Sequence, residues 1–402
     1  MFDSLRARVA SGCAVFLLSV GCVHGQPIRI GLIGPFTGGT SDLGNSTRFG
    51  AELAVREINE VGGYLGRPFR LIERDDKSDP EEGRNAAEDL VLREKVAFTI
   101  GYCNTGVALK SLDVFQQNKH LLMVPCSTGT AISMKYPPAQ SYIFRLAPFD
   151  LLNARFLIAE IVDRRKLRKV AIFADATGYG EGGLKNLNEE LAKRSLKPVF
   201  VARFELGVKS LADQMRSARA AGAEAIIAYT VGPEQAVAMK SRQAVGYTAP
   251  YFAPWTLSGR SVLENAGSSA LEGGMMVQTI IQDNIDERRA SFLVHYFKFS
   301  KERPIGSLMA AAQAYDAVHL MLWALFQSRG DVSGDALKIA LENLDRPFRG
   351  VVTTYSRPFS DSDHDAMTQN MLWLGVWKNG GISYYYEEDA KLAGVVRRKE
   401  PR

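Results

Sequence analysis

A chain of 402 residues with 46% hydrophobic and 23% charged positions carries enough apolar material for packed interiors, which excludes an intrinsically disordered protein, and it exceeds what one ordinary core holds. Its formal charge of +5 falls to +4 once residues 1–25, with two Arg and one Asp, are set aside. Acids and bases are interleaved along the rest, a balance that predicts no nucleic-acid partner.

The first element in chain order reads as an export signal. Arg6 and Arg8 form a basic start, and residues 9–20 form a nearly uncharged run of twelve, shorter than the about 20 residues that a membrane-spanning helix needs. Val23-His24-Gly25 before Gln26 fits a signal-peptidase site, while Ser19-Val20-Gly21-Cys22 resembles a lipoprotein box with Ser where an aliphatic residue is usual. Plain secretion is the preferred reading, with lipidation on Cys22 as the alternative. No later apolar run reaches the roughly 18 residues of a span, so a soluble mature protein of two domains is expected.

Residues 28–35 are an Ile-rich strand that ends in the turn Thr37-Gly38-Gly39, and a helix follows with Phe49, Leu53 and Ile58 on one face. Next come a strand over 69–75, a helix over 79–94 capped by Asp79 with Pro80 at its first position, a strand over 97–101, a helix over 105–117 and a strand over 121–124. After Arg145-Leu146-Ala147-Pro148 the rhythm restarts, with helices over 151–164, 183–194 and 211–221 and strands over 169–174, 198–204 and 225–229. Two such series predict an α/β protein of two doubly wound lobes, with binding beyond the carboxyl ends of the strands. Helices over 286–301 and 307–328 are apolar on one face and should pack on the first lobe, so the chain must cross between lobes more than once. The tail over 371–386 reads as a hairpin around Asn379-Gly380-Gly381. The basic run Arg164 to Lys169 reads as the solvated end of a helix.

Cys103 and Cys126 follow neighbouring strands. A disulfide and a pair of buried thiols are both compatible with that placement, because register decides between them.

Several chemistries can be tested on the residues. Gly178-Tyr179-Gly180-Glu181-Gly182-Gly183 satisfies G-x-G-x-x-G, but its first Gly lies four residues past the strand and Tyr179 would crowd a pyrophosphate. No nucleotide or other cofactor is expected. There is no G-x-S-x-G elbow, no G-K-[ST] loop and no H-E-x-x-H. His120, His295, His319 and His364 stand isolated, so they read as surface or core-edge residues. Asp75-Asp76 are adjacent on a strand and face opposite ways; they are assigned to loop structure and solvation, and no metal is expected. What recurs at strand ends is uncharged hydrogen-bonding capacity: Thr37-Gly38-Gly39-Thr40, Asn104-Thr105-Gly106 and Ser127-Thr128-Gly129-Thr130. Each precedes a helix, where hydroxyls and free amides suit a carboxylate or other small polar head.

Gly31-Leu32-Ile33-Gly34-Pro35, Thr37-Gly38, Gly50-Ala51, Ile58-Asn59 with Gly62-Gly63, Asp75-Asp76 with Asp79-Pro80, Ile100-Gly101, Pro125 with Thr128, and Tyr179-Gly180-Glu181 resemble the leucine/isoleucine/valine-type periplasmic binding proteins of ABC importers, in order over nearly the whole mature chain. The resemblance implies a type I binding-protein fold, two Rossmann-like lobes joined by a three-crossover hinge. Its crossovers would lie near Ala147, near residues 276–279 and near residues 349–353. The first lobe would comprise 26–147 and 278–350, and the second 148–277 and 351–402. It also implies a monomeric periplasmic protein that delivers its ligand to a permease of the inner membrane. In the first lobe the carboxylate-binding positions fall on Asn104, Cys126 through its backbone and Thr128, with Thr105 and Ser127 of the same clusters as further ligand-binding candidates, and Leu43 stands where the family has an aromatic. In the second lobe Tyr179 matches a ligand-covering tyrosine, and Tyr229-Thr230-Val231 matches the strand end that faces the ligand.

Asn104 replaces a hydroxyl residue, and Ala253-Pro254-Trp255-Thr256 occupies the segment where amino-acid-binding members place a glutamate for the α-ammonium. Either Asp175 or Glu234 takes over, or the ligand lacks that ammonium, since an unpaired one in a closed cleft is costly. Trp255 reads as a flat apolar wall for an aromatic or branched ligand, or as a core tryptophan behind the site. The expected function is therefore capture of a small amino-acid-like or organic acid, without catalysis. A solute sensor of the same fold, or an extracytoplasmic enzyme, is the alternative.

Overall fold

The computed structural model of the chain describes residues 25–282, 286–393 and 397–400. The expected export signal, with Cys13 and Cys22, lies outside these residues apart from Gly25.

Strands β1 (Ile28–Gly34), β2 (Phe69–Asp75), β3 (Phe98–Ile100), β4 (Leu122–Val124) and β5 (Ile143–Arg145) form a parallel sheet ordered β2-β1-β3-β4-β5. A second sheet contains β6 (Val170–Asp175), β7 (Phe200–Phe204), β8 (Ala225–Tyr229), β9 (Tyr251–Ala253) and β10 (Met275–Gln278), all parallel. After a small ladder of β11 (Phe348–Arg349) and β12 (Thr354–Tyr355), antiparallel β13 (Trp373–Lys378) and β14 (Gly381–Tyr384) complete it in the order β14-β13-β10-β9-β8-β6-β7. β6 and β8 are buried at every position because helices cover both faces of a parallel sheet, which is why they read as unbroken apolar runs. The β13-β14 connection is a two-residue turn, Asn379 at φ 53° and Gly380 at φ 77° with Lys378 paired to Gly381, the conformation that favours Asn-Gly.

The chain passes between the sheets three times: after β5, after β10 and again before β13. In the middle passage the helices Glu287–Ser300 and Leu308–Gln327 pack on Ser41–Glu60, which follows β1. Gly50 makes that crossing tight, since a Cβ there would lie 2.1 Å from the Ala311 carbonyl oxygen. Leu308–Gln327 is long and apolar enough to cross a membrane by length and composition, but most of it is buried inside the protein, as a core helix is. The helix expected over 79–94 divides into an α-helical part, Pro80–Glu88, and a wider π turn, Asp89–Arg93; the one expected over 151–164 divides likewise at Ala159. Asp79 caps the first by accepting from the Glu81 and Glu82 amides at 2.8 and 3.0 Å. Within the basic run, Arg165 is half-buried and bound to Glu160 at 2.6 Å, so that residue is packed and not merely solvated.

Cys103 and Cys126 are both buried and unbonded. The register Ile100↔Met123 brings them to equivalent places past β3 and β4, and burial, with Cys126 alongside, pushes the Cys103 thiol up.

Asp75 and Asp76 separate in role. Asp75 holds the turn after β1, accepting from Phe36 N at 2.9 Å and Thr37 Oγ1 at 2.6 Å. Asp76 is fully buried, which corrects its assignment to solvation: Oδ1 accepts from Ser78 N at 2.9 Å and Oδ2 has no partner. Burial, with Asp75 and Asp79 adding repulsion, lifts its carboxyl to about 7.

Arg145, at the end of β5, is fully buried with its guanidinium shared among Asp365 Oδ1 at 2.7 Å, Gly129 O at 2.6 Å and Ser133 Oγ at 2.6 Å. Backbone bonds from Arg145 N to His364 O and from Ala366 N to Arg145 O, each 2.9 Å, lay residues 364–366 along β5.

Two outcomes are expected. Asp365→Ala leaves the Arg145 cation buried without its counter-charge and should cost about 3–5 kcal/mol, read as a lower denaturant midpoint at constant m-value. For Asp76, whose folded carboxyl is raised, the native state keeps a proton that the unfolded chain has lost between about pH 4 and pH 7, so stability falls as pH rises through that window and levels above it. Asp76→Asn should remove this fall and be more stable than the parent at pH 8 by on the order of 2–4 kcal/mol; parallel unfolding curves from pH 4 to 8 check it.

Candidate functional site

The carboxyl ends of the parallel strands of both sheets face each other across a cleft that encloses about 610 Å³. Its first-lobe wall comes from the loops after β1, β3 and β4: Thr40, Leu43, Cys103, Asn104, Thr105 and Thr128 line it. Asn104 precedes the helix Thr105–Gln117 without capping it through its side chain. Its Oδ1 accepts from Thr40 Oγ1 at 3.1 Å, and its amide nitrogen has no partner among the described residues. The first amides of that helix also lack intrahelical acceptors, so this wall offers uncharged donors at the positive end of a helix dipole.

The second-lobe wall comes from the start of the helix Gly178–Ala192, the loop at Leu206-Gly207, the segment Val231 to Glu234, and Trp255-Thr256. Asp175 organises it. Oδ1 accepts from Thr177 N at 3.0 Å, Thr177 Oγ1 at 2.5 Å and Gly180 N at 3.2 Å, and Oδ2 accepts from Val231 N at 3.3 Å. Gly180 and Gly183 owe their identity to packing: a Cβ would sit 2.1 Å from Asp175 O and 2.1 Å from the Tyr229 ring, respectively. The glycine-rich motif therefore seats a helix on β6 and β8.

Of the residues expected at the site, Leu43, Asn104, Thr105, Thr128, Tyr179 and Trp255 line the cavity, and Cys126, Ser127, Tyr229 and Thr230 do not. Cys126 and Ser127 lie beneath the loop, with Ser127 Oγ 3.3 Å from Thr105 Oγ1. Tyr229 is covered by the helix above Gly183 and donates to Asp150 Oδ1 at 2.7 Å. Thr230 presents its carbonyl to Thr256 Oγ1 at 2.8 Å. Between the two acids that could hold an ammonium, Asp175 has its oxygens occupied, whereas Glu234 lines the cavity and binds Gly207 N through Oε1 at 2.8 Å. Asp150, behind Thr128, accepts the Tyr229 hydroxyl, and burial raises its carboxyl to about 6 against the opposing effect of its hydrogen bonds. The four histidines stay outside the cavity lining; burial holds His120 and His319 down at about 4. Among the described residues no three His, Cys, Asp or Glu side chains converge as metal ligands.

Sequence reasoning missed Thr40, Ser78, Cys103, Leu206, Gly207 and Thr256 as lining residues. Leu206-Gly207 sits in a loop without periodicity, so no pattern could have placed it. Thr40 belonged to a cluster already singled out.

The lobes touch across the cleft. Ser261 Oγ donates to Asp42 Oδ2 at 2.7 Å, Asn186 Nδ2 donates to Thr130 Oγ1 at 2.8 Å, and a Cβ on Gly178 would lie 3.5 Å from Gly106 Cα.

Residues 27–381 match the family model described as periplasmic binding protein. The leucine-, isoleucine-, valine-, threonine-, and alanine-binding protein of Pseudomonas aeruginosa is 24% identical over 291 residues, 72% of this chain and 76% of its own length. The branched-chain amino acid transporter substrate binding protein of Streptococcus pneumoniae, solved in complex with isoleucine, superimposes with a TM-score of 0.77 at 21% identity, covering 89% of this chain and 98% of that one. A solute binding protein of an ABC transporter from R. palustris, solved in complex with 4-hydroxybenzoate, gives a TM-score of 0.76 at 18% identity over 89% and 95% of the two chains. With its fold, its cleft and a family match over nearly all of the described residues, this chain belongs to the periplasmic binding proteins, a family of binding proteins and not of enzymes.

Proposed function

We propose that the chain is the extracytoplasmic substrate-binding component of an ABC importer and that it captures a small organic carboxylate, aromatic or branched, that lacks an α-ammonium. The observation that carries this reading is the cavity's division of chemistry. Uncharged donors from Asn104, Thr105 and Thr128 meet at one wall, while Leu43, Val107, Val231 and the Tyr179 and Trp255 rings supply apolar surface around them. Support comes from the segment Ala253 to Thr256, which holds no acid where amino-acid-binding members place a glutamate, and from Asp175 being saturated by protein donors. One protein of similar fold was solved with 4-hydroxybenzoate.

Contacts to both lobes would give the closed form its higher affinity, so binding shifts the open–closed equilibrium toward the shape a permease recognises. In this reading the protein is exported through its N-terminal segment and acts as a monomer, with lobes of 26–147 plus 278–350 and 148–277 plus 351–402.

A second reading, an α-amino acid, has one observation in its favour: Glu234 is the only charged side chain among the residues that line the cavity. Its contact with Gly207 leaves one carboxylate oxygen for an ammonium.

Thermal unfolding against a ligand panel separates them, because a ligand at a hundredfold excess over Kd adds about 2.7 kcal/mol to native stability. Benzoates and branched aliphatic acids should raise the midpoint more than leucine does. A larger shift with leucine, abolished in Glu234→Gln, would overturn the carboxylate reading in favour of the second. Thr128→Val, which removes one hydroxyl donor, should weaken carboxylate binding roughly tenfold; calorimetric titration reads it.

A further inference from the structure

We infer that capture of the ligand's carboxylate draws a proton onto Asp150, which releases the Thr128 hydroxyl to the ligand and makes affinity depend on pH. This rests on the carboxylate reading above.

Asp150 opens the helix Asp150–Ile158 just past the first crossover and is fully buried where the two lobes meet. Its amide donates to Thr128 O at 2.7 Å in the first lobe, and its Oδ1 accepts from the Tyr229 hydroxyl at 2.7 Å in the second. Thr128 lines the cavity, so this carboxyl stands directly behind the wall that receives the ligand. Its Oδ2 has no donor, and one turn along the helix Asn153 Oδ1 lacks one too. Asn153 is among the side chains that act on the Asp150 carboxyl. Two neighbouring acceptors buried without a donor are short of one hydrogen, and a proton on Asp150 Oδ2 supplies it.

The groups that face Asp150 cannot neutralise it together with a second anion. They are Arg145 from β5, Tyr229 from β8, Tyr179 from the helix Gly178–Ala192, and the uncharged Thr128 and Asn153. Burial pushes both phenols up, so they stay neutral. The Arg145 guanidinium is already shared among Asp365, Gly129 O and Ser133. In the protein alone burial lifts the Asp150 carboxyl to about 6, so it is mostly ionised at neutral pH. A ligand carboxylate at Thr128 brings up a like charge, which favours the protonated acid. The Thr128 hydroxyl has a single proton to donate. An ionised Asp150 competes with the ligand for it, and a protonated one does not. Asp150 is thus a positioning residue, acting on the ligand through Thr128.

Calorimetric titration with benzoate and 3-methylbutanoate tests this, since carboxyls of their kind titrate at about 4–5 and stay ionised from pH 6 to pH 8. If the ligand raises the Asp150 carboxyl by about one unit, affinity should fall about fivefold from pH 6 to pH 8. At pH 7 the protein should take up about 0.4 proton, read as a binding enthalpy that follows the ionisation enthalpy of the buffer. Asp150→Asn keeps an acceptor for Tyr229 and cannot titrate. Its affinity should be equal at both pH values and its binding enthalpy indifferent to the buffer. Asp76→Asn removes the other carboxyl raised behind the first-lobe wall and should keep the parent's dependence. No proton uptake by the parent overturns the inference, and so does a pH dependence that survives Asp150→Asn or vanishes in Asp76→Asn; each of these leaves the carboxylate reading in place. Binding of leucine with no binding of either carboxylate removes that reading and the inference with it.

Discussion

The Arg145–Asp365 pair joins parts of the chain that are far apart in sequence, and the first-lobe wall depends on it. A guanidinium taken wholly out of water is tolerable only when its donors are used. Here they go to a carboxylate from the last crossover, to the Gly129 carbonyl and to the Ser133 hydroxyl. Gly129 follows Thr128 directly, so the same cation that closes the edge of the first sheet also sets the loop that presents Thr128 to the cleft. The late segment 364–366 thus serves as an additional edge for β5 and as the counter-charge for a residue over two hundred positions earlier.

The second lobe solves the matching problem with an anion. Asp175, at the end of β6, gathers the amides of Thr177, Gly180 and Val231, and so orders the helix start that carries Tyr179 and the strand end beside it. Each lobe therefore uses a buried charged residue as scaffolding behind a cleft wall that is largely neutral. A carboxylate entering such a site meets fixed dipoles and hydroxyl groups instead of a salt bridge, an arrangement that can hold an anion through helix amides alone.

The alternation of strands and helices was readable because parallel strands buried on both faces produce continuous apolar runs, as in β6 and β8, and because Asp79-Pro80 and Asn379-Gly380 carry their own stereochemistry. The three clusters of Thr, Ser and Asn at strand ends pointed to the first-lobe wall for the same local reason. Burial behind that wall was not readable. Ser127 and Tyr229 carry hydroxyls suited to a ligand, but which face of a loop they occupy depends on how the helices above them settle, and Gly183 lets one helix settle directly on Tyr229. Asp76 was misjudged on the same ground: alternation on a strand says that neighbours diverge, not that one of them is sealed from water. Whether Cys103 and Cys126 are bonded or free thiols depended on a register that only the assembled sheet supplies, and they are free.

Gly178 faces Gly106 across the cleft at a separation that would place an alanine methyl at position 178 in ordinary contact with the opposite backbone. A side chain any larger at Gly178 would act as a doorstop, whereas a Cβ on Gly106 meets nothing within 4 Å. How closely the lobes approach here thus depends on the missing side chain at position 178, and the strength with which a ligand is held can be altered through the geometry of the jaws as well as through the polar groups of the cleft.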